Sequence, residues 1–362
     1  MINAATSGNE SIPAARIRTR DERSHYVLGS VKVAFDSRPS AAVRGVGRYS
    51  RCILDALRET APADVEIFET QRPSTTVRTR RIDLFHSPWI EGAILRSPSP
   101  MVVTLHDLAA LKRASEHLRT GVRLHMRRLA VQRAAGVIVP TEAVAEDAVR
   151  RLGIERERIA VIPEAPDPKM YARPEAEIER VRERFGLPGR YLLWVGSLRH
   201  PDPRKQVAQL AAAQRELPLV LVGPTRPWAH ELEGVILTGE VSDDDLAAIY
   251  SGAHALVLAS EDEGFGLPAV EALACGTPVA ACEVPALREV LGERIAFVEP
   301  GDMRALIESA EGCARPAPAP PQWTWRDAAR STLRVYRMAV GSAESEERAV
   351  GWGVGEPQAE VE

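Results

Sequence analysis

The chain reads as an α/β protein of two halves, each a parallel sheet covered on both faces by helices. Three observations predict this. Short apolar runs recur along the chain, separated by stretches with helical periodicity. The runs VKVAF (31–35), YLLWV (191–195) and HALVLA (254–259) are apolar almost throughout, as expected of strands buried on both faces. Some of them lead at once into a glycine turn and a new helix, the repeating unit of a parallel sheet. A length of 362 residues suits two domains of ordinary size.

Residues 1–29 are polar, charged and without period, and read as a disordered N-terminal extension. The first domain, 30–165, opens with the strand Val31–Phe35. The loop RGVGR (44–48) follows and starts an amphipathic helix that runs to about Arg58. Further strands are predicted at Val65–Phe68, Leu84–His86, Met101–Leu105, Val137–Val139 and Ile159–Ile162. Between them fall an arginine-rich helix from about Ser115 to Ala135 and another from Thr141 to Leu152.

Residues 166–188, rich in Pro, Glu and Arg, read as a linker with one charged helix. The second domain, 189–322, carries strands at Tyr191–Val195, Leu219–Val222, Val235–Leu237, His254–Ala259 and Thr277–Ala281, and ends in the proline-rich RPAPAPPQ (315–322). Residues 323–340 predict a last helix with Trp325, Ala329, Leu333 and Tyr336 along one face, and 341–362 read as a disordered acidic tail.

Composition narrows the function classes. A formal net charge of −4 gives no global argument for nucleic acid or an anionic membrane. No apolar run approaches the ~20 residues needed to span a bilayer. The N-terminal stretch lacks the apolar core of a secretory signal. The four cysteines show no metal-ligand spacing, which fits reduced thiols and a metal-free cytoplasmic protein.

The chemistry is concentrated in SEDEGFGLPAVEALACGTPV (260–279), directly after the strand HALVLA. Gly264 and Gly266 permit a tight turn with close backbone approach to a ligand. Pro268 suits a helix start, and Gly276 with Pro278 marks its stop. A strand, a glycine turn and a helix N-terminus together make an anion site, because free amides and the positive end of the helix dipole face the ligand. Glu271 lies one turn into the helix, where it can reach back to hydroxyls, and Glu263 stands at the rim.

This segment resembles the E-x7-E signature of the retaining glycosyltransferases of family 4. The resemblance covers roughly residues 31–340 and is strongest over 191–301. It implies the GT-B architecture: two Rossmann-like domains facing across a cleft, with the last helix packing back on the first domain. It implies that Glu263 binds donor-sugar hydroxyls and Glu271 the nucleotide ribose, with Gly264, Phe265, Gly266 and Leu267 supplying amides to the diphosphate and sugar. The loop GSLRHPDPRK (196–205) is similar to the strand-glycine loop of that family, whose cations meet the donor diphosphate. Gly196 then approaches the donor, and Arg204 and Lys205 stabilise charge that develops as the glycosidic bond breaks. Because the loop looks longer than usual, Arg199 competes with Arg204 for that role.

Three further segments carry the resemblance. His106 in TLHD (104–107) matches an "HD" element close to the sugar and acceptor; an imidazole there can bond a hydroxyl or relay a proton, and Asp107 can orient it. RGVGRY (44–49) matches a "GIGRY" loop, which assigns Gly45, Gly47 and Arg48 to the acceptor and phosphate side. TGEVS (238–242) places Val241 beside the base, while Ser242 also reads as a helix N-cap. His86 reads as structural. The arginine-rich helix, with Arg113, Arg119, Arg123, Arg127, Arg128 and Arg133, is either a peripheral membrane contact or a solvated face. Two departures stand out: Glu164-Ala165 where the family has Asn-Gly, and PALRE at 285–289.

The expected activity is transfer of a hexose, mannose favoured by the PRK form, from a nucleoside-diphosphate sugar to a glycan or lipid-linked acceptor by front-face attack. No cofactor or metal is implied, since the nucleotide sugar is a substrate. The alternatives are a nucleotide-sugar hydrolase or epimerase on the same fold, or a non-catalytic scaffold partner.

Overall fold

The buried apolar runs assemble into two separate six-stranded sheets in the computed structural model, which describes residues 31–42, 45–108 and 118–351. The first sheet holds β1 (Val31–Asp36), β2 (Val65–Thr70), β3 (Leu84–Ser87), β4 (Met101–Thr104), β5 (Gly136–Val139) and β6 (Ile159–Val161), in the order β2-β1-β3-β4-β5-β6. The second holds β7 (Leu192–Val195), β8 (Leu219–Val222), β9 (Val235–Gly239), β10 (Ala255–Leu258), β11 (Val279–Cys282) and β12 (Phe297–Val298), in the order β12-β11-β10-β7-β8-β9. All pairings are parallel. The predicted α/β class, with two parallel sheets, holds.

Helices α1 (Val46–Thr60), α2 (Pro73–Thr79), α3 (Leu118–Gln132) and α4 (Glu142–Asp147) belong to the first half. Helix α5 (Glu175–Phe185) lies between the sheets in sequence. Helices α6 (Val207–Ala212), α7 (Asp243–Gly252), α8 (Leu267–Ala274), α9 (Pro285–Leu291) and α10 (Met303–Glu311) belong to the second. The helix predicted over 141–152 is α4 followed by a wider i→i+5 turn at Ala148–Leu152. Separate cores form on the sheet faces; one packs Leu193, Leu256 and Val270, another Phe35, Ile53 and Leu57.

The chain crosses back at its end. Helix α11 (Trp325–Gly351) packs against α1 and the strands β3 to β5, burying Trp325, Ala329, Leu333 and Tyr336. Its extent corrects the tail expected from 341: residues 341–351 are helical, because their Ala, Glu and Arg side chains favour helix without needing a core. The expected extension 1–29, the rest of the tail from 352, Arg44 and Arg113 lie outside the described residues.

Several bonds tie the halves together. The backbone amides of Glu142 and Ala143, at the start of α4, donate to the Glu289 carboxylate at 2.8 and 3.1 Å, which is where a free helix N-terminus gains most from an anion. Thr141 Oγ1 donates to the Gly264 carbonyl at 3.0 Å. Strand order reverses between β1 and β3 in one sheet and between β7 and β10 in the other. Ligands of open parallel sheets bind at such reversals, outside the C-terminal ends of the strands.

Candidate active site

The loops leaving β7 and β10 wall one side of a cavity of about 340 Å³. From the second domain come Trp194, Gly196, Lys205, Ser260, Glu263 to Pro268 and Glu271; from the first come Gly45, Val46, Arg48, His106, Asp107 and Glu164. Gly45, Arg48, Gly196, Lys205, Glu263, Gly264, Phe265, Gly266, Leu267, Glu271 and His106, all expected from the sequence, therefore meet in one place. Gly47, Arg204 and Val241 do not line it. Val241 is buried in the core beneath the start of α7, and the Ser242 hydroxyl caps that helix by accepting from the Asp245 amide at 3.1 Å.

The glycines serve packing as much as ligand approach. Gly266 takes a left-handed conformation, φ 87°, as the N-cap of α8, and a Cβ there would sit 2.3 Å from Leu287. A Cβ on Gly264 would lie 1.7 Å from the His106 carbonyl oxygen, so this glycine is one point at which the two domains touch. Gly47 is needed for contact with Ala42, whose carbonyl oxygen would be 1.9 Å from a Cβ.

The charged groups are paired, within the second domain and between the two. Lys205 Nζ bonds Glu263 Oε1 at 2.5 Å, joining a diphosphate candidate to a sugar candidate. Glu271 is buried; its Oε1 accepts from Arg48 Nη1 at 2.6 Å and its Oε2 from the Tyr250 hydroxyl at 3.3 Å. Arg48 also pairs with Asp243. Expected on the acceptor side, the guanidinium instead turns into a buried interdomain ion pair. Burial alone would lower its pKa, but Glu271 and Asp243 raise it, so Arg48 stays charged.

Arg204 does not itself line the cavity, although two of its carboxylate partners, Asp202 and Asp107, do. Its Nη2 lies 2.9 Å from Asp202, and its Nη1 lies 3.5 Å from Asp262 and 3.6 Å from Asp107. Arg199 is more than half exposed, with Glu240 3.9 Å away. Lys205 is thus the cation of this loop that faces the cavity.

His106 has a different partner from the one expected. Its Nδ1 lies 2.8 Å from Glu164 Oε1 and its Nε2 2.9 Å from the Pro88 carbonyl oxygen. Asp107, the expected orienting group, points toward Arg204. Glu164 arrives from the loop after β6, so the departure at 164–165 does reach the site. Burial acts to lower the His106 pKa, but the bond and charge of Glu164, the Pro88 carbonyl and Asp107 raise it on balance. His86 is structural: buried, bonded to Tyr336 and Thr104 at 2.6 and 3.0 Å, and held neutral, its pKa brought down to about 3 by burial and then by His106. Burial pushes the Cys275 thiol up to about 12, with the nearby Glu271 charge adding to it, so this thiol is no nucleophile.

Sequence reasoning missed Glu164, Tyr250 and Ser260. Among the described residues, the Ser260 hydroxyl, buried in the cavity wall, has no hydrogen-bond partner. A second cavity of about 830 Å³, lined by Asp55, Asp167, Trp323 and Trp325, lies behind the Arg48–Asp243 pair and contains none of the expected site residues. Among the described residues, no group of three His, Cys, Asp or Glu side chains is placed to hold a metal ion, and no helix is long and apolar enough to cross a membrane.

Residues 43–169 match the family model described as Glycosyltransferase Family 4, and 189–315 the model described as Glycosyl transferases group 1. The chain is 31% identical to a 2-deoxystreptamine N-acetyl-D-glucosaminyltransferase of Streptomyces fradiae over 325 residues, 77% of this chain and 75% of that protein. It is 24% identical to O-antigen chain mannosyltransferase B of Escherichia coli over 310 residues, 75% and 78% of the two. It is 32% identical to a 2-deoxystreptamine glucosyltransferase of Streptomyces kanamyceticus over 219 residues, 54% of this chain and about half, 55%, of that protein's length. In fold it is similar to the Anabaena protein HepE, crystallised with UDP-glucose, with a TM-score of 0.61 at 21% identity over 88% of this chain and 99% of that one.

Proposed function

The chain belongs to the family 4 glycosyltransferases of GT-B fold, and from that premise we propose that it is a retaining hexosyltransferase. It moves a hexose, mannose favoured, from a nucleoside-diphosphate sugar to a glycan or lipid-linked acceptor. The observation that carries this reading is the cavity at the β7/β10 reversal, where Lys205, Glu263 and Glu271 converge on an orphan hydroxyl and a helix N-terminus. The mannose preference rests on the PRK form of the loop and on the similarity to an O-antigen mannosyltransferase.

In this reading Glu271 holds the ribose, Glu263 the sugar hydroxyls, and Lys205 the diphosphate oxygens. The acceptor hydroxyl attacks C1 on the side from which the nucleotide leaves. The bond from C1 to the diphosphate oxygen breaks as the new one forms, and that oxygen takes the acceptor proton, so no protein nucleophile or metal ion enters. The reaction is placed in the cytoplasm, at the membrane face where lipid-linked acceptors are found; α3 exposes Val122 and Met126 on a helix that also carries Arg127 and Arg128.

A second reading of the acceptor has support of its own. Two of the similar proteins are named for 2-deoxystreptamine, which favours a free aminocyclitol over a glycan. One experiment tests both. UDP-, GDP- and dTDP-sugars are screened for binding, and the donor that binds is then offered a lipid-linked glycan and 2-deoxystreptamine, with the anomeric configuration of the product read by NMR. Transfer with retention supports the proposal. Hydrolysis without transfer, or an inverted product, overturns it.

A further inference from the structure

The contacts of His106 bear directly on its charge. The Pro88 carbonyl can only accept, so Nε2, 2.9 Å away, carries a hydrogen. Nδ1 faces a carboxylate oxygen of Glu164 at 2.8 Å. If that nitrogen were bare, its lone pair would oppose the lone pairs of an ionised carboxylate inside a buried site. Glu164 is buried, and His106 is the basic side chain within bonding distance of it. A buried carboxylate without a paired cation is costly, so the proton on Nδ1 is what makes the burial of Glu164 tolerable.

We propose that Glu164 is a positioning residue that holds His106 as an imidazolium, a fixed positive charge in the cleft wall rather than a proton relay. With both N–H groups donated, the ring has no nitrogen free to accept a proton from an acceptor or to bond a sugar hydroxyl. Its contribution is the field it places beside the leaving diphosphate, a consequence that rests on the transferase reading above.

The surrounding charges are consistent with this state. Tyr49 of α1 packs edge-on against the ring at 4.5 Å and stays neutral, because burial raises its pKa. His86, on β3, is kept neutral in part by the charge on His106. Asp107, next in the chain, adds a negative charge and is shared with Arg204. Across the cleft, Lys205 and Glu263 are paired with each other.

The test is the nitrogen NMR spectrum of the His106 ring in the full chain without ligand, assigned by its loss in His106→Asn, from about pH 6 to about pH 9. Both ring nitrogens are expected to stay protonated past neutrality in the parent, and in Glu164→Gln one of them should be bare at about pH 7, because burial, no longer offset by the carboxylate, holds the ring below the free value of about 6.5. A parent ring with one bare nitrogen at about pH 7 overturns the inference, and this measurement decides it even if Glu164→Gln fails to fold. A second readout is kcat against pH: Glu164→Gln should lose roughly tenfold in kcat as pH rises from about 5 to 7, below the window in which the parent changes, with donor KM little changed and Glu164→Asp restoring the parent profile. A flat Glu164→Gln profile also overturns it. The NMR titration uses no donor or acceptor, so failure of the transferase reading would leave its result standing.

Discussion

Arg48 Nη1 lies 2.6 Å from Glu271 Oε1, and both side chains are buried, so one ion pair joins α1 of the first domain to α8 of the second. The carboxylate assigned to the ribose is therefore oriented by the opposite domain. Under the proposed function, nucleotide binding and the contact between the domains share one group.

Removing Glu271 should then have two effects. Glu271→Ala leaves Arg48 with Asp243 alone and should destabilise the fold by roughly 3 kcal/mol, the usual cost of stranding one partner of a buried pair. It should also weaken binding of nucleoside diphosphate when no sugar is present. Glu263→Ala should keep nucleotide affinity nearly intact while cutting turnover. Denaturant unfolding and calorimetric binding separate the two effects, and equal loss of nucleotide affinity in both variants would contradict the division of roles.

The diphosphate cations should rank by where their side chains point. Lys205 faces the cavity, so Lys205→Ala should lower kcat on the order of a hundredfold, about 3 kcal/mol for one donor to a developing anion. Arg204 is held by Asp202, Asp262 and Asp107, and Arg204→Ala should cost less and show partly as loosened domain contact. Arg199→Ala, at an exposed rim, should stay within a few-fold of the parent. Steady-state kinetics on the three variants checks the order; a large loss on Arg199 alone would sink it.

Metal removal gives a further test. With a lysine and helix amides serving the diphosphate, transfer should persist in EDTA. Loss of activity in chelator with recovery in Mg²⁺ or Mn²⁺ would show that the cation is not a side chain.

Buried His86 sets an acid limit on stability. Its folded pKa lies below that of the free side chain, brought down to about 3 by burial and by the charge on His106. Below about pH 6.5 the unfolded chain binds a proton that the folded chain refuses, so stability is present above that pH and is lost as pH falls toward about 3. Between about pH 6.5 and 5 the loss should reach roughly 2 kcal/mol. Urea unfolding at both pH values measures it. His86→Gln should flatten that slope, and an unchanged slope would show that another group carries it.

Much of the site was legible from local pattern. Apolar runs and turn glycines located the β7 and β10 ends, and the spacing of Glu263 and Glu271 around a helix start put both carboxylates at one strand end. These features depend on backbone geometry within a few residues, where periodicity, φ > 0 positions and helix caps are written directly. The last helix shows in the sequence by its apolar face, which ends near 340, whereas the helix itself runs to Gly351, where local propensity and not burial favours it.

The sequence by itself determined two parallel sheets, the reversal loops that carry the cavity, and the residue types placed there. Only the tertiary structure decided which charge meets which. Arg48 and Glu271 are 223 positions apart, and His106 and Glu164 are 58 apart. Arg204 turned onto three carboxylates while its neighbour Lys205 took the cavity. The reason is physical: a buried ionic group must find its counter-ion wherever two domains bring one within about 4 Å, and that distance is set by packing across the cleft, about which local spacing carries no information.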